Sequence, residues 1–456
     1  MRVLTRIDLR DQDLSARELA EALPRARLDV ATALDRVAPV IQDVRERGAA
    51  AVRDASERFD AVRPEHLRVP AQALRAALAG LDPAVREGLE LCVAHNRAGH
   101  AAQLPAETTT EIVPGGRITQ RWIPVHRVGL YVPGGLAVYP SSVVMNAVAA
   151  QVAGVEQVAL ASPPQAACDG LPHPTILAAC ALLGLTEVYA AGGAQAIAML
   201  AYGARADDDV DRADLTAAGG AGGPEAMLCE PVDVVTGPGN IYVAAAKRAV
   251  RGAVGIDAEA GPTEIAVLAD AGADPEYVAA DLLSQAEHDP SAGSVLITDS
   301  PDLADAVDRA LARRLAATRH TERAGTALRG RQSGTVLVRD LEQGIAVADA
   351  YAAEHLEIHT ARAPEVARRI RNAGAIFVGP YSPVPLGDYL AGSNHVLPTG
   401  GTARFSSGLS VMAYLRPVQL IDYDAAALEA LSGPLSALAH CEDLPAHAEA
   451  ARARRG

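Results

Sequence analysis

The sequence predicts an α/β chain: two doubly wound α/β domains, with a helical segment on the N-terminal side and a helical tail at the end. Three observations carry this reading. From about Arg127 onward, short β-branched runs alternate with Ala-rich helical stretches. The runs are apolar throughout rather than alternating, as strands covered on both faces must be. Before residue 130, the text from about Asp29 to His100 is rich in Ala, Arg and Glu and sets Leu34, Val37, Ile41 and Val44 at the three-then-four spacing of one helix face.

Taken in order, residues 1–26 read as an N-terminal arm. VGLYVP leads through a glycine turn to SSVVMNAVAAQVAG, QVALAS to TILAACALLG, TEVYAA to GGAQAIAMLAYG, and VDVVT to GPGNIYVAAAKRAV, which defines one Rossmann-like domain over residues 131–263. Within it, Arg205 to Glu230 carries Asp207, Asp208, Asp209, Asp211 and Asp214, then GGAGG. This stretch, 205–230, is expected to be a solvated surface loop without function. The alternation resumes with IAVLAD, a helix from Pro275 to about His288, GSVLITDS, a long helix through Arg314, TVLVRD, a helix through Ala353, LEIHT, another helix, and AIFVGP. The second domain is expected to combine residues 27–130 with 264–408. Tyr381 to about Ser410 reads as loop, and residues 409–456 form a tail that is helical from Ala425.

Composition bounds the function classes. The 456 residues carry 41 basic and 56 acidic side chains, a net charge of −15, with no cluster of Lys and Arg, which argues against a nucleic-acid partner. No apolar run reaches the roughly 18 to 20 residues that would span a bilayer, so no membrane partner is expected. The first residues, MRVLTRIDLRDQDLS, mix acids and bases where a signal peptide would be apolar, and a cytoplasmic location is expected. Five scattered cysteines without a CxxC spacing indicate neither a disulfide framework nor a thiolate zinc site. Aromatic residues are only 3%, so the core must be built from Ala, Val, Leu and Ile.

Three glycine turns follow expected strands and open helices: Gly134-Gly135, Gly192-Gly193 and Gly237-Pro238-Gly239-Asn240. None is a GxGxxG followed by an acid about 20 residues on, and each alone reads as a plain tight turn. Together they lie at the carboxyl ends of strands in one domain, where open α/β sheets bind ligands, so a cofactor crevice is expected there. Polar text in the second half is more specific. In LLSQAEHDP, Gln285 and His288 are three apart and share a helix face, where they could reach one metal ion or simply lie at the surface. His355 and His359 mimic an HxxxH zinc helix, but LEIHT alternates as a strand does, which leaves His359 structural. Glu354 and His355, adjacent at the end of a helix, could each act as a general base. Asp388 and His395 sit in a Gly-rich polar loop, and Glu442 and His447 flank CEDLPAH in what could be an ordinary solvated helix. Imidazole, carboxylate and amide groups without thiolate suit zinc or another divalent ion with exchangeable positions.

The words VGLYVPGG, YPSSVVMNAV, GGAQAIA, GPGN, AGPTE, LLSQAEHDP, AEHLEI, GDYLAGSNHVLPT and LPAHAEA stand in the order found in the histidinol dehydrogenase family, which the chain resembles from about residue 30 to about 450. The resemblance implies a zinc-dependent homodimer that oxidises L-histidinol through histidinal to L-histidine with two NAD⁺. By position it implies Gln285, His288, Asp388 and His447 as zinc ligands and Glu354 and His355 as catalytic bases. It implies substrate contacts at Thr263, His355, His395 and Glu442 as well as the zinc ligands, and NAD contacts at Tyr131, Gln195 and Asn240. It further implies that the tail crosses to the partner subunit, bringing Glu442 and His447 to the neighbour's site. Thr263 stands where Ser is common in the family, which keeps the hydroxyl. Two rival readings are a zinc hydrolase using Glu354 on a metal-bound water and a non-catalytic two-domain ligand-binding protein. The first predicts turnover without NAD⁺, and the second predicts none.

Overall fold

The computed structural model describes residues 2–26, 30–134, 137–221, 223, 225–259 and 261–454; elements below are numbered in chain order. The apolar runs form two parallel sheets. One has the order β10 (Gly255–Ile256), β9 (Val234–Thr236), β4 (Arg127–Tyr131), β5 (Gln157–Ser162) and β6 (Glu187–Ala190). The other has the order β1 (Arg6–Asp8), β13 (Gly334–Leu337), β12 (Gly293–Thr298), β11 (Glu264–Ala269), β14 (His355–His359) and β15 (Ala375–Val378). An all-parallel sheet needs cover on both faces. On the five-stranded sheet, α2 (Val30–Arg47), α3 (Ala49–Asp60), α8 (Gly193–Tyr202) and α10 (Ile241–Val250) cover one face. The other is covered by α4 (Ala71–Ala79), α5 (Pro83–Ala101), α6 (Pro140–Ala153) and α7 (Pro174–Leu182). On the six-stranded sheet, α11 (Pro275–Ala286), α12 (Pro301–Ala317) and α13 (Thr321–Arg329) lie on one face. There, α1 (Ala16–Ala22), α14 (Leu341–Tyr351) and α15 (Ala363–Ala367) lie on the other. The doubly wound α/β class expected from the sequence is the observed one.

Three expectations need correction. The helices between residues 30 and 101 do not complete the six-stranded sheet. Val37, Ile41 and Val44 of α2 bury against α8 and α10, and Leu89 and Cys92 of α5 share a core with α6. An amphipathic stripe states that a helix must be covered but not by which sheet. What the N-terminal region gives to the six-stranded sheet is its edge strand β1, whose Ile7 is opposite Val336.

The acidic stretch 205–230 is not a solvated loop either. There, β7 (Ala204–Arg205) pairs antiparallel with β8 (Met227–Cys229), and α9 (Asp209–Ala217) lies between them. Asp211 is fully buried against Arg53 of α3, with Nη1 donating to Oδ2 at 2.9 Å, and Asp214 meets His66 Nδ1 at 2.8 Å. A buried carboxylate needs a paired cation, and this one comes from more than 150 residues away, invisible to local composition.

Finally, α14 ends at Tyr351 with Ala352 in the left-handed region (φ 48°), so Glu354 leads into β14 and His355 is its first residue, rather than both closing a helix. An antiparallel ribbon of β16 (Leu415–Tyr423), β3 (Gly116–Pro124) and β2 (Thr108–Val113) was not anticipated; its largely exposed positions carry little apolar signal. The short α16 (Val384–Tyr389) and the tail helices α17 (Ala425–Cys441) and α18 (Pro445–Arg452) complete the chain. No helix among the described residues is long and apolar enough to cross a membrane.

Candidate active site

A cleft of about 950 Å³ opens between the two sheets, lined by Tyr131, Gly134, Asn240, Thr263, His288, Glu354, His355, Asp388 and His395 among others. Its two walls differ in kind. The five-stranded sheet presents the carboxyl ends of its strands, where Tyr131 ends β4 and the Gly237–Asn240 turn follows β9. Gly237 has φ +121°, and a Cβ there would run into the Tyr131 carbonyl, so only glycine fits. The turn is clamped from behind: buried Lys247 Nζ donates to Gly237 O at 2.9 Å and pairs with Asp257, whose Oδ2 accepts from Gly237 N at 2.8 Å. Asn240 caps α10, its Oδ1 accepting from the amides of Tyr242 and Val243. On α8, Gln195 is 1% exposed, lies off the cleft lining, and donates from Nε2 to Asp60 Oδ2 at 3.3 Å. Burial pushes the Asp60 carboxyl up to about 6. Of the first glycine turn, Gly135 lies outside the described residues.

The six-stranded sheet presents the amino ends of its strands. Thr263 precedes β11, and Glu354 precedes β14. The Thr263 hydroxyl donates to Glu354 Oε2 at 2.6 Å and accepts from Gln285 Nε2 at 2.7 Å, and the Glu264 amide also donates to Glu354 Oε2, at 2.9 Å. Burial pushes the Glu354 carboxyl up to about 8 against those two donors. His355 Nδ1 lies 3.2 Å from the Glu264 carbonyl, which can only accept, so the neutral ring carries its proton on Nδ1 and leaves the Nε2 lone pair free. That nitrogen is buried without a hydrogen-bond partner, 3.9 Å from Asp388 Oδ1. Burial lowers the basicity of His355, His288 and His395, which favours the unprotonated rings that can ligate metal or accept a proton.

Eight of the residues singled out from sequence therefore line one cleft: Tyr131, Asn240, Thr263, His288, Glu354, His355, Asp388 and His395. Gln285 lies directly behind Thr263. With its Nε2 committed to that hydroxyl, its Oε1 is a buried acceptor that no hydrogen bond satisfies. His288 and Asp388 line the cleft and Gln285 lies just behind it, and an amide oxygen, an imidazole and a carboxylate are the donor types that suit a divalent cation with N/O ligands. Gly134 and the Pro238-Gly239-Asn240 turn line the cleft and give it a wall that a phosphate-bearing cofactor can approach closely, whereas the Gly192-Gly193 turn lies off the lining, its Gly193 amide donating to the Tyr131 hydroxyl at 3.1 Å. Glu442 and His447 are exposed on the tail and do not reach the cleft of their own chain. None of the five free cysteines lines it.

Sequence reasoning missed several groups. Ser142, whose Oγ lies 2.9 Å from His395 Nε2, stands inside the quoted YPSSVVMNAV text and could have been found there. Asp60 ends a helix far from any motif and gave no signal. Glu264 is buried beside Arg25 and accepts from the Gly400 amide, and burial pushes it up to about 7.

The model of the family described as histidinol dehydrogenase matches residues 23–455. A histidinol dehydrogenase from Nocardia farcinica is 61% identical over 451 residues, 99% of this chain and 98% of that protein, and one from Thermobifida fusca is 58% identical over 99% and 98%. The crystal structure of histidinol dehydrogenase from Elizabethkingia anophelis superposes with a TM-score of 0.88 at 28% identity, covering 100% of this chain and 98% of that one. The chain belongs to the histidinol dehydrogenase family.

Proposed function

We propose that this chain oxidises L-histidinol through L-histidinal to L-histidine with NAD⁺, the last two oxidations of histidine biosynthesis, as a zinc-dependent homodimer with shared sites. The observation that carries this is the pair Glu354 and His355, both buried and both lining a cleft whose other wall includes Tyr131, Gly134 and the Pro238-Gly239-Asn240 turn. In this reading Gln285, His288 and Asp388 hold zinc together with the partner subunit's His447. Thr263, His395 and the partner subunit's Glu442 contact substrate, as do the zinc ligands and His355. Tyr131 and Asn240 face NAD, and Gln195, assigned to the same cofactor, lies off the lining and is bonded to Asp60.

When bound, zinc supplies a Lewis-acid template for the substrate's imidazole and amine, and NAD⁺ supplies the hydride acceptor. The chain's own groups move the protons. His355 Nε2 takes the proton of the alcohol, and the Nδ1–H bond to the Glu264 carbonyl holds the ring in the tautomer that this needs. Glu354, once ionised, takes a proton from the water that adds to the aldehyde, giving the hydrate from which the second oxidation proceeds. Donors from Thr263 and Glu264 support that ionised form. The five-stranded unit is thus the cofactor side, and the six-stranded unit is the metal and substrate side. Five unpaired cysteines suit the reducing cytoplasm.

The test is absorbance at the NADH band with L-histidinol, NAD⁺ and Zn²⁺, repeated after chelation. Formation of NADH that chelation abolishes is expected. Absence of NADH, or NADH formation indifferent to the chelator, sinks the reading. For the shared site, mixing inactive Glu354→Gln protein with inactive His447→Ala protein should restore part of the activity through heterodimers. No recovery after confirmed subunit exchange contradicts it.

A further inference from the structure

Behind the cleft, on the face of β14 that turns toward α11, lies a second polar group that the reaction above does not use. Residues alternate along a strand, so His355, Glu357 and His359 share one face while Leu356 and Ile358 turn to the opposite core. Glu357 is completely buried. Its Oε1 accepts from the Val384 amide at 2.9 Å, while its Oε2 has no hydrogen-bond partner and lies 3.3 Å from His359 Nε2. Asp281 of α11 brings an oxygen to 3.9 Å from the same nitrogen. Burial, then the charge of Glu357, push the Asp281 carboxyl up to about 8.

The cluster is placed by a simple repeat. Each element that reaches it also carries one residue that lines the cleft or, for Gln285, lies directly behind it, one structural period away. Asp281 is one helical turn before Gln285 on α11, Val384 one turn before Asp388 on α16, and Glu357 two residues after His355 on β14. In α16 no side chain of its own caps the first turn, and residue 385 is proline without an N–H, so the buried Val384 amide depends on Glu357 for its acceptor.

We propose that Glu357, braced by His359 and Asp281, is the positioning residue that ties α11, α16 and β14 together and so sets the spacing of Gln285, Asp388 and His355. This rests on the reading that Gln285, His288 and Asp388 hold the metal. It places Glu357 outside the chemistry: it touches no substrate and acts through the element that carries Asp388.

The experiment is zinc titration of the metal-free full-length protein against a chromophoric chelator, read beside kcat and KM for L-histidinol. Glu357→Leu leaves the Val384 amide unpaired and is expected to weaken zinc binding about 10- to 100-fold, and to raise KM more than it lowers kcat. Glu357→Gln keeps an oxygen for that amide and should remain near the parent. His359→Gln, which leaves the Val384 bond in place, should weaken zinc binding by less than Glu357→Leu does, and it serves if the leucine variant does not fold. Unchanged zinc affinity in a folded Glu357→Leu or His359→Gln protein overturns the proposal. So does a second zinc equivalent bound by the parent and lost in His359→Gln, since the cluster would then be a metal site in its own right. Asp388→Asn must also weaken binding, and unchanged affinity there overturns the ligand reading and this inference with it. If instead the zinc ranking holds while the parent makes no NADH, the proposed reaction fails and the positioning role stands.

Discussion

The two sheets meet at the cleft by opposite edges. The five-stranded sheet offers the carboxyl ends of its strands, where the turns bring backbone to the cleft lining and a buried Lys247–Asp257 ion pair clamps the glycine turn. The six-stranded sheet offers the amino ends of its strands, where the half-buried Thr263 hydroxyl and the buried Glu354 and His355 are interlocked within 2.6 to 3.2 Å of their partners. A backbone cradle suits a ligand recognised by phosphate and ribose, and it needs little from individual side chains. An array of buried ionisable groups suits proton transfer, because desolvation moves their basicity toward the working pH. The usual expectation that open α/β sheets bind at their carboxyl edges thus holds for one half of this molecule only.

That division can be broken experimentally. The largest effect should come from the side-chain wall: His355→Asn removes the proposed proton acceptor and is expected to lower kcat for L-histidinol by about 10³-fold, within the range for a lost general base. Its KM for NAD⁺ should stay near the parent's in steady-state NADH assays. A comparable change in KM for NAD⁺ would show that the walls are not separable. Glu354→Gln should depress oxidation of added L-histidinal by about 10²-fold. Since the Glu354 carboxyl sits at about 8, it is the ionised base only above that value, so the parent's aldehyde oxidation should climb as pH rises through about 8. The glutamine variant should lose that dependence, and an identical pH profile in both proteins would remove Glu354 from the step.

On the backbone wall, Lys247→Met leaves the Gly237 carbonyl and Asp257 without their cation. It should raise KM for NAD⁺ by about tenfold, the size of one charged hydrogen bond, with KM for L-histidinol unchanged. Away from both walls, Asp211→Asn breaks the buried pair with Arg53 and should cost about 3 kcal/mol of unfolding free energy in denaturant titration. Its kcat should be untouched, and a fall in kcat instead would give the acidic stretch 205–230 a catalytic part.

How legible each region was follows the same physics. Parallel strands were readable because burial on both faces leaves uninterrupted apolar runs such as QVALAS and GSVLIT. The cleft residues were readable because Glu354 and His355 are polar groups at the edge of an apolar strand, while Asp388 and His395 stand in a Gly-rich polar loop of the kind that carries function. Where meaning depended on a distant partner, local reading failed. The five aspartates of the stretch 205–230 read as solvated, and only the fold, which sets Arg53 beside Asp211, shows otherwise. The apolar stripe of α2 could have covered either sheet, and the largely exposed ribbon of β2, β3 and β16 carried too few apolar residues to announce itself. Glu357 was hidden by the same strand pattern that identified LEIHT.

The central claim is that one cleft, walled by both sheets, completes both oxidations without releasing the aldehyde. The direct measurement is NADH formed per L-histidinol consumed when substrate is limiting, with an aldehyde trap present. The account predicts two NADH per L-histidinol and no trapped aldehyde. One NADH with aldehyde captured in solution would contradict it.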